Sequence, residues 1–271
     1  YTSTKRMEAR HSTSVTRSLA IQSRVIGALL MREIITRYGR HNIGFMWLFA
    51  EPMLFTLAIV GLWTASRATH GSNIPIVAFA VTGYSSILLW RNSALRCTKA
   101  ILPNLSLLVH RNITVLDVFV ARILLEVAGG IMSFIILSTG FILLGWMAMP
   151  VDVFKIVQAL LLLSWFALSL SLIIGAITEL SEVLDRFWHP TVYILFPLSG
   201  AVFMVDWLPK DLQTYVLWLP MVHGVEMLRS GYFGPGVVTH YSVSYLMLMN
   251  FVLLLIGLFL VDKAGRQVIP E

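Results

Sequence analysis

Apolar residues run through this chain in long unbroken blocks, not in alternation and not in narrow stripes. Six blocks reach or approach the roughly 20 residues that a helix needs to cross a bilayer. They cover about residues 47–66, 74–90, 127–146, 154–178, 190–205 and 240–261, and the fifth is short for a full crossing. The charged side chains inside them are Glu51 and Lys155, each close to the start of its block. Charge at mid-membrane is costly, so this near-silence predicts transmembrane helices. A transmembrane barrel would instead alternate apolar and polar positions. The expected fold is an all-α membrane protein with six transmembrane helices.

Three segments depart from the pattern. Residues 24–40 read as an amphipathic helix. At about 100° per residue, Leu30, Met31, Ile34, Ile35 and Tyr38 share one face, and Arg32, Glu33, Thr36, Arg37 and Arg40 the other. A cationic helix just before a span predicts an interface helix on the cytoplasmic surface, acting as a lipid anchor, a coupling element or both. Residues 91–126 make a long connection for a bundle, broken at Pro103 and Asn104, with a short apolar piece at 105–110. That piece predicts a short helix facing a cytoplasmic partner, with a solvated loop as the plainer alternative. Arg122 and Glu126 are four apart and expected to pair. Residues 206–235 hold two proline-bounded pieces, each too short to cross, which predict a re-entrant hairpin on the outer side. Trp207, Trp218, Glu226 and Arg229 belong to it, and Glu226 and Arg229, three apart, are expected to pair.

Composition agrees. The chain is 57% hydrophobic and 13% charged, about half the charge of a typical soluble domain. The net charge of +6 would suggest nucleic acid on a soluble protein, but here its distribution matters more. Sixteen of the 20 Lys and Arg residues fall on one side of the predicted topology, which places both termini in the cytoplasm. The connection holding Glu179, Glu182, Asp185 and Arg186 fits that assignment poorly. Trp47, Trp63, Trp90 and Trp146 sit at block ends, as membrane-interface rings do, whereas Trp165 falls near the middle of the fourth block. With Cys97 the single cysteine, an intrachain disulfide is impossible. Residues 1–20 are polar and basic and show no cleavable signal peptide. The chain opens on Tyr1 and not on Met, which predicts that the natural protein begins upstream.

Recognisable catalytic chemistry is missing. There is no phosphate-binding loop with the Gly-x-x-x-x-Gly-Lys-Ser/Thr pattern, so nucleotide would have to bind elsewhere. The seven His are scattered without metal-ligand spacing, and no Gly-x-Ser-x-Gly nucleophile turn occurs. Glu51 is the one carboxylate placed to relay protons, and Pro52 beside it suits a structural role at a helix start. An ion-coupled carrier is therefore disfavoured. Any transport energy is expected from another subunit.

Arg37-Tyr38-Gly39, Asn42-Ile43-Gly44-Phe45-Met46-Trp47 and Glu51-Pro52 resemble the opening of the type-2 ABC exporter permeases. Pro197-Leu198-Ser199-Gly200 with Asp206-Trp207-Leu208-Pro209 resembles their fifth helix and outer hairpin. The most specific piece runs from Leu219-Pro220-Met221-Val222-His223-Gly224 through Val225-Glu226-Met227-Leu228-Arg229 to Gly231-Tyr232-Phe233-Gly234. Within that group the chain is most similar to the KpsM-like capsular polysaccharide export permeases, over roughly residues 24–261.

The resemblance implies a polar cytoplasmic N-terminus (1–23), a transporter domain (24–261) and a cytoplasmic tail (262–271). It also implies residence in a bacterial inner membrane and a homodimer bound to two copies of a separate ATPase that carries ATP and Mg. The cargo would be a lipid-linked acidic polysaccharide, passed on to periplasmic co-polymerase-type and outer-membrane partners. O-antigen, teichoic acid or another lipid-linked glycan is the alternative cargo. A membrane glycan transferase is a distant alternative, for which Asp206 and Glu226 are the one outer acidic pair.

A sugar polymer needs rings along its path, and Tyr84, Trp90, Trp165, Trp188, Tyr193 and Phe196 are candidates, with core packing or lipid contact as the competing role. Acidic groups and a lipid phosphate need cations at the cytoplasmic mouth. Arg32, Arg37, Arg40, Arg91 and Arg96 could supply them, with ordinary membrane topology as the competing explanation. Pro103, Asn104, His110 and Arg111 are the candidates for coupling to the ATPase.

Overall fold

Apolar blocks that cannot hand their backbone groups to water must bond them internally, and here they do so as helices. The computed structural model describes residues 15–38, 42–65, 74–108 and 113–268, and among them there is no β-strand. The helices are α1 (Val15–Tyr38), α2 (Asn42–Ala65), α3 (Ile76–Cys97), α4 (Leu105–Leu108), α5 (Val115–Leu143), α6 (Val153–Leu180), α7 (Glu182–Leu198), α8 (Lys210–Val216), α9 (Pro220–Phe233) and α10 (Val243–Val268). Four are long and apolar enough to cross a membrane: α2 from Met46, α5, α6 and α10. Helix α3 has 22 residues but carries Arg91 and Arg96 in its final turns, and α7 has only 17.

The element types agree with the apolar blocks, but boundaries move: α1 starts at Val15 and not at 24, and α10 runs to Val268, past the expected 261. Helix α3 runs to Cys97, past the expected end at 90, and α5 starts at Val115, well before the expected 127. Thr114 and Asp117 cap that start reciprocally, each accepting from the other's backbone N–H. Helix α7 lies earlier than the expected 190–205. Ser181 caps it by accepting the Leu184 N–H, and Glu182 and Asp185 in the first turn suit the positive end of the helix dipole. It stops at Leu198, and Gly200 follows with φ +84°, a value that disfavours any side chain.

Helices α3 and α6 form the centre. Helix α6 packs on α10, α3 and α9, while α3 packs on α5 and α2 as well. Gly175 lets α5 approach, since a Cβ there would strike the Phe119 ring. Polar side chains tie the helices where lipid offers no hydrophobic drive between them. Ser169 donates to the Asn250 carbonyl at 3.1 Å, Asn250 to the Leu162 carbonyl at 2.9 Å, and Ser133 to the Phe49 carbonyl at 2.9 Å. Helix α1 departs from expectation in its facing. Its polar side, with Arg32, Glu33 and Arg37, turns toward the bundle, and apolar Met31 and Ile35 are exposed.

Candidate functional site

A run of aromatic rings follows one side of α3. The Tyr84 ring lies 6.0 Å from Phe55, 5.5 Å from Phe196 and 5.6 Å from Trp63. Trp63 stacks on Phe79 at 5.8 Å, and Phe79 on Trp207 at 5.2 Å. A cation stands at each end. Arg229 lies 4.0 Å over Phe79, and Arg91 lies 5.5 Å over Phe55 and 5.9 Å over Tyr193. Beside Arg91 is a cavity of about 450 Å³ whose walls include Trp47, Glu51, Phe55 and Asn92. The Arg91 Nε is itself buried and has no hydrogen-bond partner.

Of the six aromatic candidates, Tyr84 and Phe196 belong to this ring run and Tyr193 stands at its Arg91 end; Tyr84 is buried in the core, whereas Tyr193 is 71% exposed. Trp90 is fully buried edge-on to Phe166, and Trp188 is buried with Ala94, Ile174 and Val192. Trp165 is partly exposed on α6. Phe55, Trp63 and Phe79 belong to the ring run, although their positions along the chain do not single them out. Only the packing of α2 on α3 aligns them.

The cations are distributed differently from a free basic mouth. Arg37 bonds to Glu126, Arg32 donates to the Asn104 Oδ1 at 2.5 Å, and Arg96 reaches Glu51 at 3.4 Å and Glu126 at 3.6 Å. Arg40 lies outside the described residues. Arg122 does not pair with Glu126. It meets Glu33 at 3.2 Å and donates to the Arg96 carbonyl at 2.9 Å. A neighbour on another helix outcompetes the neighbour one turn away, because the two α5 side chains face different partners.

The connection after α3 is built and held. A 3-10 turn at Leu102–Asn104 leads into α4, with Leu102 57% exposed and Pro103 exposed beside it. Asn104 is buried and donates to the Ala100 carbonyl at 2.8 Å. The Ile101 N–H donates to Glu179 at 2.5 Å, and Lys99 meets Asp185 at 3.1 Å. His110 and Arg111 lie outside the described residues.

At the opposite end, α8 is exposed and α9 buried. Glu226 and Arg229 do not pair with each other. Arg229 donates to the carbonyls of Gly200 and Phe203 at 2.6 Å and of Ala201 at 2.7 Å. Glu226 accepts from the N–H of Val205 at 3.2 Å and of His240 at 3.0 Å. Both side chains are fully buried, and each serves loop backbone groups that have no water to bond to. Asp206 meets His240 at 3.2 Å. His223 accepts the Ser242 N–H at Nδ1, which leaves its Nε2–H to donate to the Leu217 carbonyl at 2.8 Å. Trp218 is 72% exposed, and its carbonyl accepts from the Tyr245 hydroxyl at 2.8 Å.

The family model described as ABC-2 type transporter matches residues 24–233. The chain is 49% identical over 265 residues to the capsule polysaccharide export inner-membrane protein CtrC of Neisseria meningitidis serogroup B, covering 98% of this chain and 100% of that protein. It is 46% identical over 265 residues to the capsule polysaccharide export inner-membrane protein BexB of Haemophilus influenzae, with the same coverage. It is 31% identical over 254 residues to the polysialic acid transport protein KpsM of Escherichia coli, covering 89% of this chain and 93% of that one.

Proposed function

The chain belongs to the ABC-2 type transporter family, and on that footing we propose that it is the inner-membrane permease of a capsular polysaccharide exporter. The similarity to CtrC and BexB along essentially the whole chain carries the proposal. The permease is not itself an enzyme. ATP and Mg bind to a separate ABC ATPase, and the cargo is a lipid-linked acidic polysaccharide moved from cytoplasm to periplasm.

In this scheme α2, α3, α5, α6, α7 and α10 make the six crossings, with both termini cytoplasmic. Helix α1 lies along the inner interface, and α8–α9 form a re-entrant hairpin on the outer side. Two copies pair across the exposed faces of α2 and α7 and enclose the aromatic cleft. The exposed Tyr193 and the half-buried Phe55, Trp63 and Phe196 offer apolar ring faces to sugar units without holding one position, as a sliding polymer requires, while Tyr84 and Phe79 are buried behind them. Arg91, which lines the cavity beside Glu51 and Phe55, meets the acidic groups or the lipid phosphate as a charge-assisted donor. Closure of the ATPase presses on Leu102–Leu108, and periplasmic and outer-membrane partners continue the path.

Removing the chain from an encapsulated host tests the proposal. Capsular polymer should accumulate inside the inner membrane, and restoring the chain should return it to the surface. Loss of a different surface glycan with capsule intact would assign the other cargo, and unaltered surface capsule would overturn the proposal.

A further inference from the structure

Polar contacts at the inner end converge on one carboxylate that the transport path does not use. Glu126 lies on α5, about three turns after its start, and its side chain is 7% exposed. It bonds to Arg37 in the last turn of α1 and lies 3.6 Å from the Arg96 Nε in the last turn of α3. Arg96 extends the chain to Glu51 on α2. One turn earlier on α5, Arg122 repeats the pattern, meeting Glu33 on α1 and the Arg96 carbonyl on α3. Arg32 on α1 closes the circuit onto Asn104 in the coupling segment.

We propose that Glu126, seconded by the Arg122–Glu33 pair, is a positioning residue for coupling: it locks α1 to the inner ends of α2 and α3. A push on the coupling segment then moves α1, α2 and α3 as one body instead of being lost in α1. This rests on the proposal that a partner ATPase drives the chain. A single anion between two guanidinium groups suits the task. Hydrogen bonds between charged partners are roughly twice as strong as neutral ones, and the largely buried Glu126–Arg37 contact is screened by salt less than the more exposed Arg96 contact. Both cations meet the same oxygen, Oε1, so a glutamine keeps the shape and an acceptor there but removes the negative charge that the two guanidinium groups share.

The test uses the full permease–ATPase complex in vesicles and reads polymer exported per ATP hydrolysed. Glu126→Gln should leave ATP hydrolysis within about twofold and cut export per ATP at least tenfold, while Glu126→Asp recovers at least half of it. A purely structural role would move yield and melting but not that ratio. An export ratio for Glu126→Gln equal to the parent's would overturn the proposal. Should Glu126→Gln fail to assemble, Glu33→Gln decides, because it cuts the neighbouring rung at a half-buried position. It should lower the ratio at least threefold, and a parental ratio overturns the proposal. If the unaltered complex exports nothing, the transport proposal itself has failed, a result distinguishable from normal export by all three variants.

Discussion

Replacing Arg229 with methionine would strip three loop carbonyls of their guanidinium donors. The carbonyls of Gly200, Ala201 and Phe203 sit where α7 leaves the bundle, and Arg229 itself is fully buried. An orphaned buried acceptor costs about 1–3 kcal/mol, so three set an upper bound of about 9 kcal/mol. Methionine returns part of this, because it no longer carries the cost of burying a cation. With that return, the three orphaned carbonyls leave a net loss of about 3–5 kcal/mol, against a total stability of about 5–15 kcal/mol. At roughly 2–4 °C per kcal/mol for a chain of this size, Arg229→Met should lower the midpoint by about 6–20 °C. Thermal unfolding of the detergent-purified protein, followed by size-exclusion elution, measures it. Arg229→Lys should fall between the two, since a point charge cannot span three carbonyls as the planar fork does. A midpoint for Arg229→Met within about 2 °C of the parent, under about 1 kcal/mol, would refute the reasoning.

Three further outcomes follow from the same contacts. Arg91→Ala should raise the polymer concentration that half-saturates ATPase stimulation about tenfold, a loss of about 1.4 kcal/mol, while melting like the parent, whereas Arg32→Ala should move melting more than saturation. A single cysteine at Leu102 or Ser106 should crosslink to the ATPase during turnover, and one at exposed Leu212 on α8 should not. Gly83→Ala should lower the unfolding midpoint by several degrees, because its Cβ would strike the Ala201 carbonyl oxygen and lie 2.8 Å from the Arg229 Nη2, overpacking that costs about 1–3 kcal/mol.

Hydropathy reported the membrane-depth parts of α2, α5, α6 and α10 well, because composition alone decides what lipid tolerates. It misjudged the C-terminal end of α3 and the N-terminal end of α5. Arg91, Arg96, Arg122 and Glu126 end an apolar run, yet helical hydrogen bonding continues through them. The start of α7 left no trace in hydropathy, because it is fixed by a polar cap, Ser181 ahead of two acids. Pairing rules based on spacing failed at Arg122–Glu126 and at Glu226–Arg229, where partners distant in the chain won. The cations expected at a mouth are likewise placed by contacts 45 to 89 residues away, which no local pattern encodes. The aromatic run is the same case: Tyr84 and Phe196 were visible as candidates, but Phe55, Trp63 and Phe79 join them only once α2 lies on α3.

The most direct measurement is ATP-dependent uptake of lipid-linked capsular polymer into inside-out vesicles holding this chain and its ATPase. Polymer should become protected from added depolymerase only with ATP and with both proteins present, and protection should fall for Arg91→Ala. Protection without this chain, or none despite active ATP hydrolysis by the assembled complex, would contradict the proposed function.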